Sequence, residues 1–192
     1  SSIAESFHLI SKCHEGQNQI EEALGYSKKA QKILSGHLVD TDIMAADAFF
    51  SLGRLVLLLE DSSRRCLGEA PNDDDIALAL TNLALARDIY LRSFGEEALE
   101  VGDTLSLLGS IYHKYGEFSK AVGVFKKALA IFKTAPLDQS ERIRGSLVKL
   151  GAATADLPEA DFDKVLECYG LAQDMYEEKE ECKSVEYADL IF

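Results

Sequence analysis

The chain has 192 residues, 47% hydrophobic and 28% charged, enough for a sizeable core and unlike a disordered polypeptide. Its formal charge of −13 repels polyanions, which argues against nucleic acid and anionic membrane as partners. The longest aliphatic run, Leu55 to Leu59, falls far short of the roughly 20 residues of a membrane span, so no membrane insertion is expected.

Three prolines (Pro71, Pro136, Pro158) and little strand-like alternation predict an all-α fold. Cys13, Cys66, Cys168 and Cys182 lie far apart with no CxxC pair, which favours free thiols over a disulfide framework or a metal site. A reducing, cytoplasmic setting and no cofactor follow. The start Ser1-Ser2, without an initiator Met, reads as a cut or tagged fragment with no leader.

In chain order, a first helix pair is expected near residues 3 to 35, with Phe7, Ile10 and Ser11 on one helix and Ala23, Ala30 and Leu34 on the other. A second pair spans 43 to 94 and carries Phe49, Gly53, Ala79, Leu83 and Ala86. Gly53 to Ala86 is 33 residues where Gly109 to Ala128 is 19, so fourteen extra residues fall around 60 to 75. They read as a solvated loop on one edge, with Asp73 to Asp75 capping a helix from Ile76. Ser62, Ser63, Arg64 and Arg65 offer a phosphorylation or docking spot as the alternative. The third pair covers 98 to 134 and the fourth 140 to 179, where Phe162 to Tyr176 follow a loop two residues longer. Asp138 with Glu141 and Asp156 with Glu159 have capping-box spacing, Pro158 suits an early helical position, and Gly95 suits a helix end. A further helix is expected over 184 to 192, the start of another repeat in a longer array. Residues 1 to 192 thus form a single domain.

Small residues recur in register: Ser11, Gly53, Gly109, Gly151 in one column; Ala23, Ala79, Ala121, Val165 in a second; Ala30, Ala86, Ala128, Ala172 in a third. From each alanine of the last column to the next glycine of the first is 23 residues, three times over. A glycine inside a helix costs about 1 kcal/mol relative to alanine. Three in register therefore need compensation from close helix approach, where a larger side chain would overpack.

The third copy carries Leu108-Gly109, Tyr112, Ala121, Phe125 and Ala128, and with this pattern the chain resembles the tetratricopeptide repeat family. Leu105 stands where the family usually has Trp. The 42-residue period and long second helices are similar to the kinesin light chain type of that repeat. The resemblance implies a right-handed α-solenoid of about four and a half helix-turn-helix repeats that binds a protein or peptide in a concave groove lined by the first helices. Carried onto this chain, the groove residues are Glu5, His8, Lys12, Asp47, Phe50, Arg54, Asp103, Leu107, His113 and Lys149. Lys12 and Arg54 share one register, with His113 and Lys149 nearby, while Glu5, Asp47 and Asp103 form an acidic column. One expectation is a partner segment whose carboxylates meet Lys12, Arg54 and Lys149 and whose apolar side chains meet Phe50 and Leu107. The competing expectation is that the acidic and basic columns pair across neighbouring helices. The chain has no Asn at the inward places of a chaperone-type carboxylate clamp.

No GxxxxGK, HExxH, GxSxG or EF-hand loop occurs. Glu5 and His8 make one ExxH, where a di-iron bundle needs two. The favoured function is a non-enzymatic scaffold or adaptor. The alternative is a regulatory domain controlling an attached catalytic or motor domain.

Overall fold

The computed structural model describes residues 2–36, 43–67 and 73–189, with side chains over 3–36, 43–59 and 74–177. Helix α1 (Ser2–Gly16) turns back into α2 (Ile20–Leu34). Three more hairpins follow: α3 (Ile43–Leu67) with α4 (Asp73–Phe94), α5 (Leu99–Lys114) with α6 (Phe118–Thr134), and α7 (Ser140–Ala155) with α8 (Phe162–Asp189). No strand occurs among the described residues, nor any helix long and apolar enough to cross a membrane.

Each helix packs on the one before and the one after it. Beyond that, α3 meets α5 and α5 meets α7, whereas the even-numbered helices make no comparable contact with one another among the described residues. The odd helices therefore crowd together on the inner side of a one-dimensional stack, and the even helices splay outside it. The result is an all-α solenoid.

Close approach within each hairpin explains the small-residue columns. A Cβ built on Gly53 would sit 2.5 Å from Leu83 Cγ, one on Gly109 2.6 Å from Phe125 Cε1, and one on Gly151 3.1 Å from Tyr169 Cζ. In the first hairpin the same position is Ser11, whose hydroxyl donates to the Ala23 carbonyl at 2.7 Å, so the two helices join by a hydrogen bond instead. A fourth contact glycine, Gly102, where an added Cβ would sit 2.6 Å from Phe132 Cε1, lies outside the columns that the sequence singled out.

The hairpin turns follow the same register. Asn18 (φ 61°) and Gly116 (φ 74°) each stand seven residues after the small-residue column and adopt left-handed backbone. Pro158 holds that place in the last hairpin, and its ring confines φ to about −65°. A tight left-handed turn is thus closed to it, and the connection lengthens to residues 156–161.

Three expectations are corrected. The extra residues near 60 to 75 do not form a loop throughout: α3 continues to Leu67 and α4 begins at Asp73. The stretch 60–67 contains neither glycine nor proline, and the first breakers are Gly68 and Pro71. Residues 68–72, and the side chains of Ser62, Ser63, Arg64 and Arg65, lie outside the described residues. No separate helix starts near Ser184, because α8 runs unbroken to Asp189 through a segment rich in Glu and Lys with no breaker. Residues 190–192 lie outside the described residues. Asp156 with Glu159 does not open a helix either. There α8 starts at Phe162, and Asp161 accepts from the Lys164 N–H at 3.3 Å.

Candidate functional site

A helix presents residues three and four apart on one face, so the odd helices each contribute two or three turns of side chains to the concave surface. There, Lys12 of α1, Asp47, Phe50, Ser51 and Arg54 of α3, Tyr90 of α4, and Glu100 and Asp103 of α5 surround a cavity of about 270 Å³. Leu107 is half-buried beside Phe50 in the same apolar cluster.

Ion pairs tie the repeats together on either side of this cavity. Arg54 donates through both terminal nitrogens to the two Glu15 oxygens, at 2.6 and 2.7 Å, joining α3 to α1. Arg142 donates Nε and Nη2 to the two Asp103 oxygens, at 2.9 and 3.0 Å, joining α7 to α5. That hydrogen-bonded contact raises the Arg142 pKa further. Both are forked contacts of the stronger, geometrically specific kind. In each the partners are 39 residues apart, one helical turn short of the 42-residue repeat.

A second series joins α7 and the turn after it to α5 at a separation of 43 residues. Lys149 Nζ donates to Ser106 Oγ at 3.1 Å, and His113 Nε2 lies 2.7 Å from Asp156 Oδ2. Burial lowers the Lys149 pKa, against the pull of Asp103.

The step from α3 to α5 differs, because the longer second repeat puts 56 residues between Gly53 and Gly109. One turn short of that spacing, Asp47 stands opposite Glu100, and both line the cavity. Like charges meet where the flanking steps have ion pairs. Apart from Arg54, held by Glu15, and Asp103, held by Arg142, the lining has one ammonium, Lys12, against the carboxylates of Asp47 and Glu100. The Tyr90 hydroxyl donates to Asp47. Burial, then that bond, drives the phenol far above its ordinary pKa and keeps it a donor.

Of the residues expected in the groove, Lys12, Asp47, Phe50, Arg54 and Asp103 thus come together, with Leu107 adjacent. Glu5 is exposed toward the α1 end, Lys149 borders a different hollow between α7 and α8, and His113 is engaged with Asp156. His8 is buried, and neither ring nitrogen has a hydrogen-bond partner among the described residues. Burial, then Lys12, lowers its pKa and keeps the ring neutral. Arg54 does not present an open guanidinium to a partner's carboxylate, since both of its terminal nitrogens already meet Glu15. Among the described residues no group of three potential metal ligands gathers.

Glu15, Tyr90, Glu100 and Arg142 were not foreseen. A signal existed for three of them, in the charges one turn short of the repeat spacing. For Tyr90 the sign was a hydroxyl in a column held by Leu34 and Phe132 in the neighbouring hairpins.

Residues 72–134, α4 through α6 with the segment before them, match the family model of the tetratricopeptide repeat. A crystal structure of BtubC (BKLC) from P. vanneervenii superposes with a TM-score of 0.74 at 18% sequence identity, over 91% of this chain. The chain spans 63% of the length of that structure. Comparison with curated proteins gives no match.

Proposed function

We propose that the chain, whose residues 72–134 match the tetratricopeptide repeat, is a non-enzymatic scaffold holding an extended or helical segment of a partner protein along its concave face. The observation that carries this reading is the cavity between α3 and α5, where the ion-pair series that ties neighbouring repeats is interrupted by Asp47 facing Glu100. Two carboxylates beside Phe50, with Leu107 in the adjoining apolar cluster, suit a partner segment with an apolar anchor next to a Lys or Arg. The net charge of −13 steers such a segment inward. The kinesin light chain type, on the 42-residue spacing, and a cytoplasmic setting, on the free thiols of Cys13 and Cys168, belong to the same proposal.

Capture from a native extract tests it, comparing the wild-type chain with Glu100→Lys and Lys12→Glu, both exposed positions. Proteins retained by the wild type are expected to be lost with Glu100→Lys and kept with Lys12→Glu, at unchanged helicity. Retention by both variants refutes the concave assignment. The opposite pattern refutes the basic-segment chemistry.

A further inference from the structure

The even helices leave grooves between them on the outer side of the stack, and an ion pair spans the first of these. Lys28 of α2 donates to Asp75 of α4 at 3.1 Å. Lys28 stands two residues before Ala30 of the third small-residue column, and Asp75 four before Ala79 of the second. Between α4 and α6 the same two places hold Ala84 and Glu117, and Glu117 turns to Lys120 nearby at 3.2 Å. Between α6 and α8 they hold Lys126 and Asp161, again a lysine and an aspartate. There, however, the pair is not made. Asp161 meets Lys164 at 2.6 Å instead, and Lys126 and Asp161 both line a cavity of about 460 Å³.

The apolar lining of that cavity includes Leu129 of α6, Leu150 of α7 and Leu171 of α8, the last 43% exposed. Lys133 follows Lys126 by two turns and lines the same wall, and both lysines are exposed and in no ion pair among the described residues. Both also act on the half-buried Cys168 thiol of the facing wall: burial, then Glu167, raises its pKa, and the two lysines pull it down. Among the eight helices α6 alone carries no Asp or Glu, against four lysines. Its wall of the groove is thus left positive in a chain of net charge −13. Seven helical residues rise about 10.5 Å. A helix lying along α6 offers acids to both lysines from positions i and i+7, with i+3 and i+4 on the same face. An extended segment alternates its faces at about 3.3 Å per residue and has no pair of that spacing on one face. We infer that the outer groove between α6 and α8 docks an amphipathic helix of a partner protein. Its Asp or Glu at i and i+7 meets Lys126 and Lys133, and its Leu-type side chains at i+3 and i+4 rest on Leu129, Leu150 and Leu171. Glu159 and Glu167 across the groove keep those acids on the α6 side. This surface is separate from the concave face, where the proposed partner segment is basic.

A short fluorescent helical peptide with Glu at i and i+7 and Leu at i+3 and i+4, titrated with the 192-residue chain and followed by anisotropy, decides it. Saturable binding below about 100 µM is expected. The double variant Lys126→Glu/Lys133→Glu changes two exposed, unpaired positions, and circular dichroism checks that it folds. It is expected to bind the peptide about 10- to 100-fold more weakly, since like charges then face each other. A second peptide with Lys in place of both Glu is expected to show the reverse preference, for the double variant over the wild type. Glu100→Lys, on the concave face, is expected to leave binding of the first peptide unchanged. Absence of saturable binding to the wild type, equal binding by the double variant, equal binding of the two peptides, or a loss with Glu100→Lys overturns the inference.

Discussion

The contact glycines make a graded prediction. Replacing Gly109 by alanine places a Cβ 2.6, 2.8 and 2.9 Å from three ring carbons of Phe125, a side chain that is itself buried. The rigid ring has nowhere to retreat, so the overpacking cost belongs near the upper end of the usual range, about 3 kcal/mol. Against it stands a gain of about 1 kcal/mol from replacing a helical glycine. The net is a loss of about 2 kcal/mol, or a fall in Tm of about 4–8 °C for a chain of this size. Gly123, on the facing helix α6, has no atom within 4 Å of a Cβ. Gly123→Ala therefore gains the helix term alone, about 1 kcal/mol, and raises Tm by about 2–4 °C. Gly151→Ala falls between them, because its nearest neighbour, at 3.1 Å, is the exposed and displaceable ring of Tyr169. Thermal unfolding followed by circular dichroism gives the order. A Gly109→Ala chain as stable as the Gly123→Ala chain would show that the small-residue column is not a contact column, and the account of hairpin packing would fall.

The Arg54–Glu15 contact is partly shielded, with side chains 37% and 17% exposed. Discounted for that exposure, Arg54→Gln, Glu15→Gln and the double variant should show a coupling of about 1 kcal/mol in urea unfolding, and additive effects would mean that the pair contributes nothing. His8 is buried with a pKa below its ordinary 6.5, so the unfolded chain binds the proton more readily than the folded one. Its contribution to stability is present above pH of about 6.5 and is lost as pH falls below that value. His8→Phe, which installs the residue found at the equivalent Phe50, should raise the urea midpoint at every pH and most of all near pH of about 5. An equal gain at acidic and neutral pH would place the ring's proton binding outside the folding equilibrium.

The helix pairs and their contact columns are legible because each answers a local demand that recurs. Gly53, Gly109 and Gly151 are small where a neighbouring side chain comes within about a bond length of contact, and the chain repeats that crossing at a fixed interval. Helix ends near 60 to 75 and near 184 were less legible, since repeat spacing marked them while the only breakers in those stretches are Gly68 and Pro71. The ion pairs eluded a reading by columns for a geometrical reason. Neighbouring odd helices are offset along their axes, so charges that share a column do not touch, while Glu15 with Arg54 and Asp103 with Arg142 meet one turn off register. Opposite charges separated by the repeat length less three are therefore the pattern that finds these pairs in sequence. Applied to the longer second repeat, the same offset returns Asp47 against Glu100, two carboxylates lining one cavity. At this step α3 and α5 set two carboxylates against each other, with Lys12 of α1 as the lining's one ammonium outside the ion pairs, and that ties the proposed partner's basic chemistry to the length of the second repeat.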